Sequence, residues 1–407
     1  MAITDITVNG VSLDLDEVEY SVNVRHGRND IQSGQQPSDA SIILRGFAGL
    51  PVDISDELYI EAYGQARFTG LVTDVTLTHE TDTGKPRLEL IAIGNLSKLG
   101  LLNVGESGYA EESLQLRVED ILDETGLDYQ ANTDPLMVQL AADPVDGGTA
   151  ALTLLTDLCT ATGATMADLP DGTILFESYS RRGYGYNPAT WSQINDAWED
   201  VTGIWADVYG RTEAAPIPVD LVDDVVIWEP VWRNTVTTVL NRVTVEYGDA
   251  DPRDTITESD SPSIAKHGLR AYNLSTQLAD LTDAFDRAGA IIRSQSEARY
   301  AMTNVQVLMH SASSGLRNDL LDVITGGRIQ ISNLPQPAPI TTYMGVVEGW
   351  AETYTPGQHI WTVSLSDPRY SYALARWSEV DETLEWGDVN ATIQWYNVAQ
   401  ASDLLAA

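Results

Sequence analysis

Val18-Glu-Tyr-Ser-Val-Asn-Val24 puts an apolar or aromatic side chain at every second position, and the alternation returns at Ala40, Ile42 and Leu44 and at Leu58, Ile60 and Ala62. Period two is the repeat of a strand with one buried face, so these runs read as antiparallel strands. Gly64-Gln65 turns the chain into Phe68 to Thr78, and Thr81-Asp-Thr-Gly-Lys-Pro86 turns it again into Leu88, Leu90 and Ala92. Residues 1–98 therefore predict a small antiparallel β sandwich or barrel, its strands up to residue 95 running as a six-strand meander. Arg25 to Ser38, rich in Gly, Gln, Asn and Asp, reads as a long loop and a contact arm.

Near Leu96 the period changes. Ser113 to Gly126 carries apolar residues at 114, 118, 121 and 122 between a Ser N-cap and a Gly stop, the pattern of a short amphipathic helix. A second helix is predicted over about 149–162, and Asp171-Gly172 forms a hairpin turn between Thr165–Leu169 and Thr173–Tyr179. Residues 99–180 thus form a small α+β module, and 181–235, with Pro188, Pro216, Pro218 and Pro230, an extended connector. A second β domain follows over 236–370, with strands at 241–247, 305–309, 328–331, 341–348 and 361–365 and a helix over 280–300. The fold class is mainly β with α+β insertions.

The closing segment, 371–407, carries Trp377, Trp386 and Trp395 at a spacing of nine, and Trp191, Trp198 and Trp205 repeat the idea at a spacing of seven. A unit this small cannot bury its own indoles, so each copy must lie on the rest of the protein or on a neighbour. These six residues are the candidate partner-docking positions, and 371–407 the candidate docking arm.

The 407 residues carry 60 acidic and 23 basic side chains, a formal charge of -37, and lysine occurs only at 85, 98 and 266. Such a chain repels nucleic acid and anionic membranes. Two causes compete: a channel past which DNA must slide without sticking, and a halophilic or high-GC host that replaces lysine with Arg, Asp and Glu throughout its proteins. No stretch approaches the roughly 18 uncharged apolar residues of a membrane span, and the N-terminus lacks a signal-type segment, so assembly in the cytoplasm is expected. The single cysteine, Cys159, shares a helical face with Leu152 and Leu155 and reads as a small buried thiol.

The sequence contains no Gly-x-Ser-x-Gly, His-Glu-x-x-His, Cys-x-x-Cys or phosphate loop. His26, His79, His267, His310 and His359 fall on separate predicted strands and turns, which gives no metal-ligand spacing. Asp249 to Asp254 has Arg253 at a would-be calcium-ligand position and no central glycine, so it reads as a solvated turn. Asp280, Asp283 and Asp286 share a helical face at a helix N-terminus, where negative charge is favoured. No catalytic, cofactor or metal residue is assigned, and no enzyme activity is expected. Indoles beside paired acids would also suit a glycan-binding or glycan-cleaving surface protein, which remains the alternative from another class.

Val22-Asn-Val-Arg-His-Gly-Arg-Asn-Asp-Ile31 followed by Phe68-Thr-Gly-Leu-Val-Thr-Asp-Val75 resembles the opening of phage minor tail proteins that act as the baseplate or tail-tip hub. Leu240 to Val245, Ser263 to Arg270, the 280–300 helix and Val346 to Pro368 resemble that family's second half. The resemblance implies two tail-tube-like barrels per chain and a homotrimer that adapts a sixfold tube to a threefold tip. It also implies a virion location, a continuous DNA ejection channel, and as partners the tail tube or distal tail protein, the tape measure protein and tail fibres or receptor-binding proteins. A hexameric distal tail ring protein is the structural alternative.

Overall fold

The computed structural model describes residues 3–13, 18–30, 33–46, 52–79, 84–133, 138–179 without 144, 146 and 147, then 216–221, 226–227, 231–234, and 236–367 without 251, 299, 304, 335–337 and 339. Among these residues one sheet of 13 strands runs through both ends of the chain. Its order is Val226–Ile227, Val305–Leu308, Gln358–Ser366, Tyr343–Thr355, Glu19–Gly27, Asp39–Arg45, Pro86–Gly94, Gln65–His79, Glu57–Ala62, Ile3–Val8 and Val11–Ser12. Ile217–Asp220 and Arg328–Ser332 branch from Tyr343–Thr355.

The alternation read from the sequence is present: Glu19–Gly27 and Asp39–Arg45 bury every second side chain. The meander order is corrected. Asp39–Arg45 pairs with Pro86–Gly94 rather than with Glu57–Ala62. The cause is the length of Gln65–His79, whose 15 residues pair through one end with Glu57–Ala62 and through the other with Pro86–Gly94, placing that hairpin between the two earlier strands.

Neither half closes into a barrel among the described residues; the expected two barrels instead share an open sheet. The join is the antiparallel pairing of Tyr343–Thr355 with Glu19–Gly27, from Gly349 opposite Gly27 to Tyr354 opposite Val22. The connector expected over 181–235 is corrected in its described part: Ile217–Asp220, Val226–Ile227 and Val231–Asn234 are strands paired with Arg328–Ser332, Val305–Leu308 and Tyr300–Thr303.

The α+β module has a sheet ordered Tyr129–Asn132, Ile174–Glu177, Thr165–Asp168, the first pair parallel and the second the predicted hairpin. Gly172 sits at φ 90, a left-handed conformation that suits glycine in this turn. Leu114–Thr125 starts where the Ser113 hydroxyl accepts from the Leu116 N–H and stops at left-handed Gly126; Ala151–Thr162 stops at Gly163. A second small sheet, Asp254–Ser259, Arg242–Tyr247 and Ala271–Ser275, carries the helix Leu281–Gln295. Val243, Val245, Leu274, Ala284, Ala288 and Ile291 bury into the same core as Val118, Leu155 and Phe176, so residues 242–295 pack with the α+β module. Separate cores underlie the N-terminal strands and the strands after Val305.

Candidate functional site

The six candidate docking residues Trp191, Trp198, Trp205, Trp377, Trp386 and Trp395 lie outside the described residues. Within them, the strongest concentration of buried polar chemistry is where the two halves of the large sheet join.

Tyr343–Thr355 contains a β-bulge between Val347 and Gly349, which shifts its phase so that Trp350, Glu352 and Tyr354 project together into the protein. Glu352 is fully buried. Its carboxylate accepts from Arg67 Nε at 3.0 Å and from Arg67 Nη2, from Trp350 Nε1 at 3.0 Å, from the Tyr354 hydroxyl and from His359 Nε2 at 3.1 Å. Arg67 Nη1 donates onward to the Leu321 carbonyl at 2.6 Å, at the end of the helix Ser314–Leu321. His26 Nε2 donates to the Arg67 carbonyl at 2.7 Å, and its ring stacks on Trp350 with centroids 4.8 Å apart. The Tyr354 and His359 rings stack at 4.1 Å. Tyr354 belongs to the N-terminal core and Trp350 to the C-terminal one, so the cluster spans the seam between them.

Burial alone would raise the Glu352 carboxyl, but the Arg67 guanidinium and the His359 hydrogen bond overcome it and hold the group well below the usual carboxylate range. Burial pushes His26 down to about 4 against the pull of Glu352, so the ring is neutral. Tyr354 is raised by burial and by Glu352. A carboxylate this enclosed, with its lone pairs taken by five donors, has no route to a substrate; the arrangement is a clamp between sheet halves.

A second buried carboxylate ties the α+β module to the N-terminal strands. Asp168 accepts from the Ser38 N–H at 2.8 Å, the Ser38 hydroxyl at 3.1 Å and the Leu96 N–H. Burial raises it to about 6, with those hydrogen bonds opposing. Beside the seam, Arg28 Nε donates to buried Glu348 at 2.8 Å and Glu348 accepts from the Ser366 hydroxyl. The loop after Gly27, read as a contact arm, thus makes contacts within its own chain.

The other candidate residues fall as follows. Asp280 caps the helix by accepting from the Asp283 N–H at 3.0 Å, in keeping with the reading of these acids as suited to a helix N-terminus. Asp283 accepts from the Gln139 N–H at 2.8 Å, and burial raises it to about 6. Cys159 is buried, and burial pushes its thiol up to about 12. Asp249 lies in a bend after Arg242–Tyr247, and Asp254 opens the strand Asp254–Ser259. His26 and His359 lie on separate strands and nevertheless reach one junction, while His79 and His310 are exposed. Among the described residues no group of three His, Cys, Asp or Glu could hold a metal, and no helix is long and apolar enough to cross a membrane.

The signal for the junction was in the sequence as Glu352 between Trp350 and Tyr354, an acid at an inward phase of a strand, and Arg67 directly before core residue Phe68. Each charge at such a position demands a partner, although sequence does not say which.

No protein-family model and no curated protein sequence matches the chain. Solved structures do. The 43 kDa tail protein of prophage MuSo2 from Shewanella oneidensis superposes with a TM-score of 0.61 at 10% identity, covering 91% of this chain and 100% of that one. A tail protein from Neisseria meningitidis MC58 gives 0.60 at 11% identity over 91% and 98% of the two chains. The E. coli c3393 protein, described as a component of the type VI secretion system structurally similar to the T4 tail proteins gp27 and gp5, gives 0.50 at 12% identity over 90% and 78%. The fold of this chain is that of these phage tail proteins, as the resemblance of residues 22–31 and 346–368 implied.

Proposed function

We propose that the chain is a structural hub of a tailed-virus tail tip, with three copies forming a ring that adapts a sixfold tube to a threefold tip around a continuous DNA channel. The observation that carries this reading is a fold match extending over the whole length of a prophage tail protein and 91% of this chain. Each copy supplies two β halves, so three copies give six tube-like units. The clamp at Glu352 supports this use, because it fixes the angle between the halves and so the geometry of a ring. On this reading the tail tube or distal tail protein lies on one side and the tape measure and fibres on the other, in a virion assembled in the host cytoplasm.

The charge of -37 supports passage of DNA without capture, since binding duplex needs cations that release its counterions. The protein acts without catalysis: purified protein should release no sugar or peptide from cell-wall substrates. The Trp repeats serve as anchors on a neighbouring subunit or fibre. Removing residues 371–407 should then leave a soluble, folded chain whose particles lack a tip component; insoluble protein would instead assign those indoles to its own core.

Copy number tests the whole reading. Cryo-electron microscopy of particles, with native mass spectrometry of the purified ring, should give three chains of 44.4 kDa per tail. Six copies would replace the hub by a hexameric distal ring.

A further inference from the structure

A cavity of about 400 Å³ opens where the loop after Gly27, the helix Ala151–Thr162 and the helix Leu281–Gln295 meet. Its volume lies toward the lower end of the range for small-molecule sites, roughly 300–1,000 Å³. Among the described residues its lining contains two arginines, Arg28 and Arg287, and no Asp or Glu. In a chain with 60 acids against 23 bases, a wall taken at random would carry the opposite sign. We propose that this cavity binds a small oxyanion, a carboxylate or a phosphate, with Arg287 as the principal ligand and Arg28 as the second positive charge.

Arg287 is half-buried. Among the described residues its single hydrogen bond runs from Nη2 to the Thr160 carbonyl at 3.1 Å, so most of the five N–H donors of the guanidinium are unused. That one bond orients the group from the end of Ala151–Thr162. Gly163 keeps the approach open: a Cβ there would lie 2.5 Å from Arg287 Nη1. Arg28 is held by Glu348, whose carboxylate is fully buried. The thiol of Cys159, also in the wall, stays protonated because burial raises it, so it brings no negative charge to the cavity. Tyr179 and Tyr272 also line the cavity.

The test uses the full chain, titrated with sodium phosphate, with sodium succinate and with sodium chloride at matched ionic strength, read by calorimetry and thermal melting. Matching matters because any salt screens the self-repulsion of so acidic a protein. Saturable binding of phosphate or succinate beyond the chloride control is expected, weakened about tenfold or more in Arg287→Gln and partly restored in Arg287→Lys. Response to phosphate alone assigns a phosphoryl group, and response to succinate alone assigns a carboxylate. If both anions act like chloride, or if Arg287→Gln binds as the parent does, the proposal falls. Should Arg287→Gln fail to fold, phenylglyoxal labelling of the parent decides: the saturating anion must protect Arg287 from modification, and unchanged labelling overturns the site.

Discussion

Arg67 and Glu352, 285 positions apart in sequence, form a buried ion pair in which two guanidinium nitrogens meet one carboxylate. It is the main polar link between the N-terminal strands and those after Val305. Removing one partner of such a pair leaves an uncompensated charge in the interior, which costs about 3–5 kcal/mol. Arg67→Met should lose about that much in denaturant unfolding, because Glu352 would keep only Trp350, Tyr354 and His359 as donors. The double variant Arg67→Met, Glu352→Leu should be less destabilised than the sum of its singles. Additive effects would show that the pair does not couple.

Gly349 makes a second prediction at the same seam. It lies opposite Gly27, and a Cβ on Gly349 would come within 2.4 Å of the His26 carbonyl and 2.7 Å of the Arg28 carbonyl, both backbone atoms that cannot step aside. Gly349→Ala should therefore part the two strands and lower stability by about 1–3 kcal/mol, the range for overpacking. Gly315→Ala, on the helix Ser314–Leu321 with nothing within 4 Å, is the control and should gain about 0.5–1 kcal/mol. Equal melting temperatures for the two variants would contradict the close approach.

Period-two alternation at Val22, Val24, Ile42, Leu44, Leu58 and Ile60 made the N-terminal strands legible, because each has one dry and one wet face. The helix at 114–125 was legible from its Ser113 cap and that at 281–295 from its apolar spacing, but the helix predicted on to 300 is corrected: it ends at Gln295, and Tyr300–Thr303 is a strand. Strand order was not, since pairing Asp39–Arg45 with Pro86–Gly94 depends on which hairpin inserts between them, a long-range choice that local pattern does not encode. Placing residues 242–295 against the α+β module was hidden for the same reason: Val243 and Ala288 declare a buried face but not its partner. At the junction, the sequence pattern predicts a strand only over 341–348, short of Glu352, whereas the strand runs to Thr355. Finding Arg67, His26 and His359 around Glu352 required the fold.

Asp168 carries a third prediction. It accepts from two backbone N–H groups, of Ser38 and Leu96, that have no water to turn to. Asp168→Ala would strand both donors at about 1–3 kcal/mol each. A loss of about 2–5 kcal/mol is expected, with faster amide exchange at Ser38 and Leu96. Unchanged protection at those two amides would remove Asp168 from its role as the tie between module and sheet.

Titration at the junction gives the last prediction, with opposing signs in one pH window. His26 falls from its ordinary 6.5 to about 4 on folding, so the unfolded chain binds its proton more readily, and stability is lost as pH drops from about 6.5 toward 4. At about 1.4 kcal/mol per pKa unit, the full effect is about 3 kcal/mol. The groups facing His26 do not reverse this: Glu352 stays ionised through the window because its carboxyl is held low, and Arg67 stays charged because Glu352 raises it. Asp168 and Asp283 act the other way, since burial raises both to about 6; the stability they add is present below the ordinary carboxylate range and is lost as pH rises through about 6. The whole protein should thus show a shallow pH profile between about 4 and 6.5 that conceals two steep ones. His26→Gln, which can still donate to the Arg67 carbonyl, removes only the first. Its stability relative to the parent should improve steadily as pH is lowered from 6.5 to 4, measured by urea unfolding at each pH; a constant difference across that range would mean that His26 does not titrate with folding.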